Sequence, residues 1–439
     1  MVALADWTAR LKGNLSGLRS YAFLLGGSAG RLVLSLAYFV SVANGLTVSD
    51  FGLFATASAT GIVLSRIAGL GFVSPLYRVA TVKPQLIGTY TVGLGLAVLA
   101  SLPLVALAAA GFYLAFFMGQ MSLGAFLAII AAEIFCWRLL EVVVIVNNGI
   151  GRFGRGASIV VVGSAVRALA AVAFAAFSDH SLLSWSLAYL AANAAVAALS
   201  VALFYPPCRL RFAPRLYLAR WRDSVSVAGA EIVFYLQSEL DKLLVLSLGG
   251  PHIAGIYAIV MRLVDLTALP IRSFSTMIVQ KLMKTPQWLD RWRIRWSIEG
   301  GIAAVSIAGL AGLGGFLQVF PNALGGNVAG AAPLVLSALL VPAFRNLVEY
   351  QSELLYARGR TTVRALVLAL VGLIKAGLLF ILLQTFDDSG TGWIVGLNGL
   401  FLVLWMVSAA ATYTAFDWAP SRRLRRRSFG LDPAPLPGE

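Results

Sequence analysis

The chain has 439 residues, 59% of them apolar and only 12% charged, with a mean hydropathy of +0.85, whereas a soluble domain carries about 25% charge. These figures exclude an ordinary soluble enzyme and a disordered chain and place the protein in lipid. The net charge of +15 is ambiguous on its own, because it suggests nucleic acid in a soluble protein but reports topology in a membrane protein.

A membrane helix needs roughly 20 apolar residues. Suitable runs lie at 21–46, 51–73, 87–114, 122–146, 157–177 and 182–205, and again at 224–248, 254–280, 297–320, 330–356, 364–386 and 393–417. A membrane barrel alternates apolar and polar positions over about ten residues, which runs of this length do not. Turn formers separate the runs: Thr47 to Asp50, Asn147 to Gly156, Pro206-Pro207, Gly249-Gly250-Pro251 and Pro321 to Gly326. The fold class expected is all-α, a polytopic membrane protein of about twelve transmembrane helices. The first run exceeds a signal-peptide core of about 7 to 15 residues and contains Arg31, so it is read as a retained helix.

The Lys and Arg residues outside the runs fall on alternate connections. They occupy segment 1–20, the turns after the second, fourth, eighth and tenth runs, the linker 206–223 and the tail 418–439, while the six opposite loops hold none. By the positive-inside rule both termini are cytoplasmic, and most of the net charge is topology rather than a nucleic-acid surface. The basic tail from Arg422 to Arg427 is expected to meet anionic lipid heads.

An offset of 203 residues places Gly52-Leu53-Phe54-Ala55 on Gly255-Ile256-Tyr257-Ala258 and the start of the first run on the start of the seventh. Two six-helix lobes, 21–205 and 224–417, are therefore expected. Six spans per lobe make them a parallel repeat about an axis along the membrane normal.

Arg31, Arg66, Arg138, Arg167, Lys242, Arg262, Arg272, Arg345 and Lys375 remain inside the runs. Exposing all of them to lipid would cost on the order of 25 kcal/mol, so they face a cavity or partners. Local pairs are expected for Arg138 with Glu141, Arg262 with Asp265 and Arg345 with Glu349. Asp241 and Lys242 are adjacent, so each needs a partner on another helix or water. Arg31 and Arg66 have no acid in their own runs and are the first candidates for an anionic ligand. Arg262, Asp265 and Arg272 share a face of one helix, which Pro270 is expected to kink. The second half holds six acids inside its runs, Glu231, Glu239, Asp241, Asp265, Glu349 and Glu353, against five basic residues, and this acidic excess motivates a coupling-cation site at Glu231, Glu239, Asp241 and Asp265. The two cysteines, Cys136 and Cys208, and the two histidines, His180 and His252, form no metal motif, and no cofactor is expected.

The opening helix around Gly27 to Val40, the stretch Ser49-Asp50-Phe51-Gly52-Leu53-Phe54, and Leu240-Asp241-Lys242-Leu243 followed by Gly255-Ile256-Tyr257 and Arg262 resemble polysaccharide-transporter (Wzx-type) flippases. These belong to the multidrug/oligosaccharidyl-lipid/polysaccharide exporter superfamily. The resemblance implies a monomeric, non-enzymatic carrier of the bacterial inner membrane. Such a carrier moves a polyprenyl-diphosphate-linked oligosaccharide by alternating access, for exopolysaccharide or O-antigen assembly, beside glycan polymerase or chain-length machinery. Arg31, Arg66 and Arg262 would then hold the diphosphate, with Arg272 on the gating face. A drug or cation exporter of the same superfamily is the alternative, expected to carry acids in its first lobe without a basic surplus. A glycan polymerase would need a large outer loop.

Overall fold

The computed structural model describes residues 30, 32–284, 291–385 and 392–417, and among these there are helices and no strands. In chain order the first lobe contains α1 (Leu32–Gly45), α2 (Val48–Ile67), α3 (Val73–Val82), α4 (Ile87–Phe112), α5 (Leu123–Ala131), α6 (Arg138–Gly149), α7 (Phe153–Phe177) and α8 (Leu182–Phe204). A short α9 (Pro214–Ala219) lies in the linker. The second lobe contains α10 (Trp221–Lys284), α11 (Trp292–Val319), α12 (Gly326–Ser337), α13 (Val341–Ala357), α14 (Thr361–Thr385) and α15 (Gly392–Asp417).

Helix starts follow the capping residues. Thr47 Oγ1 accepts the Asp50 N–H at 3.1 Å, and Ser122 and Ser181 cap α5 and α8 in the same way. Each satisfies an N–H that the first helical turn leaves unpaired. Helices α5 and α6 form one span through the π-helical turn Ala132–Trp137.

Among the described residues, eight helices are long and apolar enough to cross a membrane, and α12 with α13, bent by 73°, make a ninth. Helix α10 supplies two spans, because Gly250 interrupts it at φ 75°, ψ 178°, a conformation open to glycine alone at low cost. With α1 and the composite α5–α6 span, the twelve expected helices are present, six to a lobe.

The backbone stays helical through Pro270, α10 running from 251 to 284 with Gly250 as its non-helical residue. A proline removes one intrahelical hydrogen bond, whereas a positive φ turns the chain. The second apolar run, read as 51–73, ends instead at Ile67, where Gly69, Leu70 and Gly71 all take positive φ. Gly71 is required there, since a Cβ would collide with the Ser224 carbonyl at the start of α10.

The lobes meet chiefly along α2 and α10. A Cβ on Gly52 would strike the Pro251 carbonyl, and a Cβ on Gly255 would strike the Val48 carbonyl. The offset that carries Gly52 to Gly255 also carries Val48 to Pro251, so the two contacts exchange under the repeat, as in a two-fold interface. This junction lies on the face whose loops lack Lys and Arg. Beside it Asn327 Nδ2 donates to the carbonyls of Ala43 and Leu46, both at 2.7 Å, and Asn44 Nδ2 donates to Leu324 at 2.8 Å. On the opposite, basic face, the lobes touch where the α2–α3 turn meets the start of α10.

Candidate substrate cavity between the lobes

Below the Gly52–Gly255 junction, polar side chains of both lobes open a cavity. It has two adjoining chambers of about 400 Å³ and 320 Å³ that share Tyr38, Trp137, Arg167, Arg262 and Asp265. Helix α1 contributes Tyr38, the π-helical turn contributes Trp137, α7 contributes Arg167, and α10 beyond Gly250 contributes Arg262 and Asp265. The π-helical turn also aims Glu133 inward, in keeping with the frequent placement of such bulges at functional sites.

Two arginines in this cavity, one from each lobe, have no carboxylate within ion-pair distance among the described residues. Arg262 Nη2 donates to Ser35 Oγ across the lobe boundary at 2.8 Å. The Arg167 guanidinium lies over the Trp137 ring, 4.1 Å from its centroid, with Nε donating to the Gly163 carbonyl at 3.3 Å. A cation on an aromatic face is held electrostatically yet keeps most of its donors. Glu133 likewise has no basic side chain within ion-pair distance among the described residues: its Oε1 accepts from Ser58 Oγ at 2.6 Å and from Tyr189 Oη at 2.7 Å.

Most of the other described intramembrane charges are neutralised in groups, whereas the buried Glu299 accepts from Gln351 Nε2 at 2.9 Å and from Tyr413 Oη. Arg66 is 4% exposed. Its Nη1 donates to both Glu141 oxygens at 3.0 and 3.1 Å, and it stacks on Tyr235 at 4.1 Å. Arg138 binds Glu141 at 2.8 Å and Glu231 at 3.2 Å, which closes a quartet of two cations and two anions across the lobe boundary. Arg66 has no acid in its own run, and its acidic partner stands on α6, far from it in sequence. Arg31 lies outside the described residues.

Arg272 grips Glu349 with two donors at 3.1 and 3.0 Å and reaches Asp265 at 3.3 Å. Arg345 binds Asp265 at 3.2 Å. Of the expected local pairs, Arg138 with Glu141 forms. Arg262 with Asp265 and Arg345 with Glu349 give way to pairs between helices. Asp241 finds Lys375 on α14 at 2.9 Å and accepts from Tyr257 Oη at 2.6 Å, while Lys242 pairs with Glu239 one turn back on its own helix.

Of the proposed coupling carboxylates Glu231, Glu239, Asp241 and Asp265, Glu239 and Asp265 line one chamber. Each already faces a basic side chain, and among the described residues no group of three or more His, Cys, Asp or Glu is arranged to hold a metal. Arg167, Trp137 and Glu133 were the members of the site that sequence reasoning passed over. For Arg167 a signal was present, since its run 157–177 contains no acid, the same property that singled out Arg31 and Arg66.

A family model described as polysaccharide biosynthesis protein matches residues 42–284. No curated protein matches the chain. Among solved structures, the lipid II flippase MurJ in an inward closed conformation superposes with a TM-score of 0.62 at 13% identity, covering 91% of this chain and 88% of that one. A MATE-family multidrug resistance transporter of the MOP superfamily superposes with a TM-score of 0.61 in both inward-facing and outward-facing conformations. Identity is 14% and 15%, coverage of this chain 89% and 91%, and coverage of the transporter 96% in each case. The likeness establishes the twelve-helix, two-lobe fold.

Proposed function

Because the chain belongs to the polysaccharide biosynthesis protein family, we propose that it is a flippase carrying polyprenyl-diphosphate-linked oligosaccharide across the bacterial cytoplasmic membrane. The observation that carries this reading is the pair Arg167 and Arg262, which line one cavity from opposite lobes without carboxylate partners. A diphosphate moved through a bilayer needs fixed charges that cannot be lost by deprotonation, and guanidinium groups supply them with paired donors. Tyr38 and Trp137 offer flat apolar faces to sugar rings beside those charges.

The charge asymmetry of the loops puts the Gly52–Gly255 junction on the outer side. In this arrangement substrate enters at the basic, cytoplasmic face, and release requires the Asn327 clasp and the glycine junction to part. Arg272 and its partners Glu349 and Asp265 lie on α10 and α13, where rocking of the second lobe would exchange ion pairs, which keeps Arg272 in a gating role. Of the diphosphate ligands expected from sequence, Arg262 is retained and Arg66 is reassigned to holding the lobes together. Arg31 stays a candidate on the sequence argument alone.

One feature favours a drug or cation exporter instead: Glu133 is a first-lobe carboxylate held by hydroxyls, with no ion pair among the described residues. Complementation of a deletion strain separates the two readings. Loss of the flippase is expected to accumulate lipid-linked oligosaccharide on the cytoplasmic face, and Arg167→Ala and Arg262→Ala are each expected to fail to restore export at normal protein levels. Sensitivity to cationic drugs without such accumulation would overturn the flippase reading. Full export by both variants would overturn the diphosphate assignment.

A further inference from the structure

A second cavity lies away from the central one, on the basic face at the seam where the first lobe passes into the second. It has a volume of about 340 Å³ and is built from the end of α3, the start of α4, the linker helix α9 and the first turn of α10. Arg78 and Lys83 line it from the first lobe, and Arg220 lines it from the junction of linker and second lobe. Arg78 and Lys83 have no carboxylate within ion-pair distance among the described residues. Arg220 has Asp223, which also lines the cavity, at 3.5 Å. Three cations against one anion in so small a space repel one another, and a bound anion would relieve that repulsion.

The surroundings identify the kind of anion. The linker is fastened to the first lobe by Tyr217, whose hydroxyl donates to the Thr89 carbonyl at 2.9 Å and accepts the Ala213 N–H at 3.0 Å. Its ring meets Phe72 edge-on. Held in this way, the linker turns large apolar side chains outward instead of burying them: Phe212 is 69% exposed and Leu218 74%, and on the cavity rim Val82 is 68% exposed. Exposed leucine and phenylalanine beside arginine mark a segment lying at the boundary between lipid headgroups and acyl chains. A free phosphate ion would use the cations and leave the apolar rim in water, whereas a phospholipid uses both.

We propose that this cavity binds the phosphate of an anionic membrane phospholipid, whose acyl chains lie along Val82, Leu216 and the exposed linker residues. The bound phosphate joins Arg78 and Lys83 of the first lobe to Arg220 at the root of the second. It is a binding site for a resident lipid rather than a station on the transport route, and it ties the relative position of the lobes to membrane composition.

The test uses the purified full-length chain in a neutral detergent and follows its thermal unfolding as phosphatidylglycerol, phosphatidylcholine or inorganic phosphate is added. Phosphatidylglycerol is expected to raise the unfolding temperature of the wild type by several degrees. Phosphatidylcholine and inorganic phosphate at equal phosphorus are expected to leave it within one degree. The double variant R78Q/K83Q is expected to lose most of the phosphatidylglycerol shift. With the repulsion among the cations relieved, it is expected to unfold without lipid no earlier than the wild type, since both side chains are exposed and have no ion pair among the described residues. R152Q/R155Q, which removes the same charge elsewhere on the basic face, is expected to keep the shift. An equal shift in R78Q/K83Q, an equal loss in R152Q/R155Q, or a comparable response to inorganic phosphate would each overturn the proposal.

Discussion

The two lobes descend from one plan and spend their charges differently. Phe54 and Tyr257 occupy equivalent positions, and each packs against a tryptophan from the last helix of its own lobe, Trp185 at 5.5 Å and Trp393 at 6.1 Å. The hydroxyl that Tyr257 has and Phe54 lacks donates to Asp241, and Asp241 in turn holds Lys375. At the position equivalent to Asp241 the first lobe carries Tyr38, which faces the cavity. Along the cavity the second lobe thus presents carboxylates tied into ion pairs, and the first presents an aromatic wall with one stacked arginine and one hydroxyl-bound carboxylate. Counting charges by half makes the first lobe the positive one. Pairing them shows that, among the described residues, the cavity's arginines without an ion pair come one from each lobe.

Breaking the buried pair of the second lobe is expected to have the largest effect. Asp241 and Lys375 are 4% and 6% exposed, and removing one member leaves a buried charge without compensation, at a cost of about 3 to 5 kcal/mol. Lys375→Met should therefore lower the unfolding temperature markedly. The double variant Asp241→Asn/Lys375→Met should recover most of that loss, because an uncharged pair of similar volume is often tolerated. If the double variant unfolds as early as the single one, the lysine is acting through packing and not through its charge.

The next comparison sets Arg66 against Arg262. Arg66→Gln removes two charge-assisted hydrogen bonds from the quartet that spans the lobes, and a loss of about 2 to 3 kcal/mol is expected, visible as reduced protein in the membrane. Arg262→Gln gives up one bond to Ser35 at the cavity edge. It is expected to leave the unfolding temperature within about 2 °C while export fails. Reversal of these two phenotypes would return Arg66 to the substrate site.

The twelve spans, the two lobes and the basic face were legible in the sequence, because each rests on a one-dimensional property: run length, the offset linking Gly52 to Gly255, and the positions of Lys and Arg. The site was legible only in part. Arg262 could be found from an apolar run that contained a charge, but its partner Ser35 is on α1. The pairs Arg66 with Glu141 and Asp241 with Lys375 join helices whose rotation about their own axes no run length encodes. The π-helical turn that carries Glu133 and Trp137 inward leaves no pattern in composition, since it adds one residue to a helical turn without changing which residues are apolar.

The glycine junction tests the symmetry itself. Gly52→Ala and Gly255→Ala each place a methyl group against backbone of the other lobe, and overpacking of this kind costs about 1 to 3 kcal/mol. The two substitutions are expected to have similar effects, because the contacts are exchanged by the repeat. Both should increase labelling of a cysteine placed at Ser58, below the junction, by a membrane-impermeant reagent added from outside. A large effect from one glycine and none from the other would show that the lobes pivot on one side only.

The smallest effect is expected at Glu133, where the first lobe departs most from the second. Its Oε1 accepts two hydroxyl hydrogen bonds, and among the described residues no cation is within ion-pair distance, Arg167 lining the same chamber without pairing with it. Glu133→Gln therefore keeps the acceptor and removes a charge that no direct ion pair holds. Stability should change by less than about 1 kcal/mol, in contrast to Asp241→Asn, which strips the counter-charge from a buried lysine. Thermal unfolding of the two variants side by side measures the difference between a carboxylate held by hydroxyls and one held by a cation. If Glu133→Gln destabilises as much as Asp241→Asn, the charge of Glu133 is structurally engaged, and the first lobe is as tightly paired as the second.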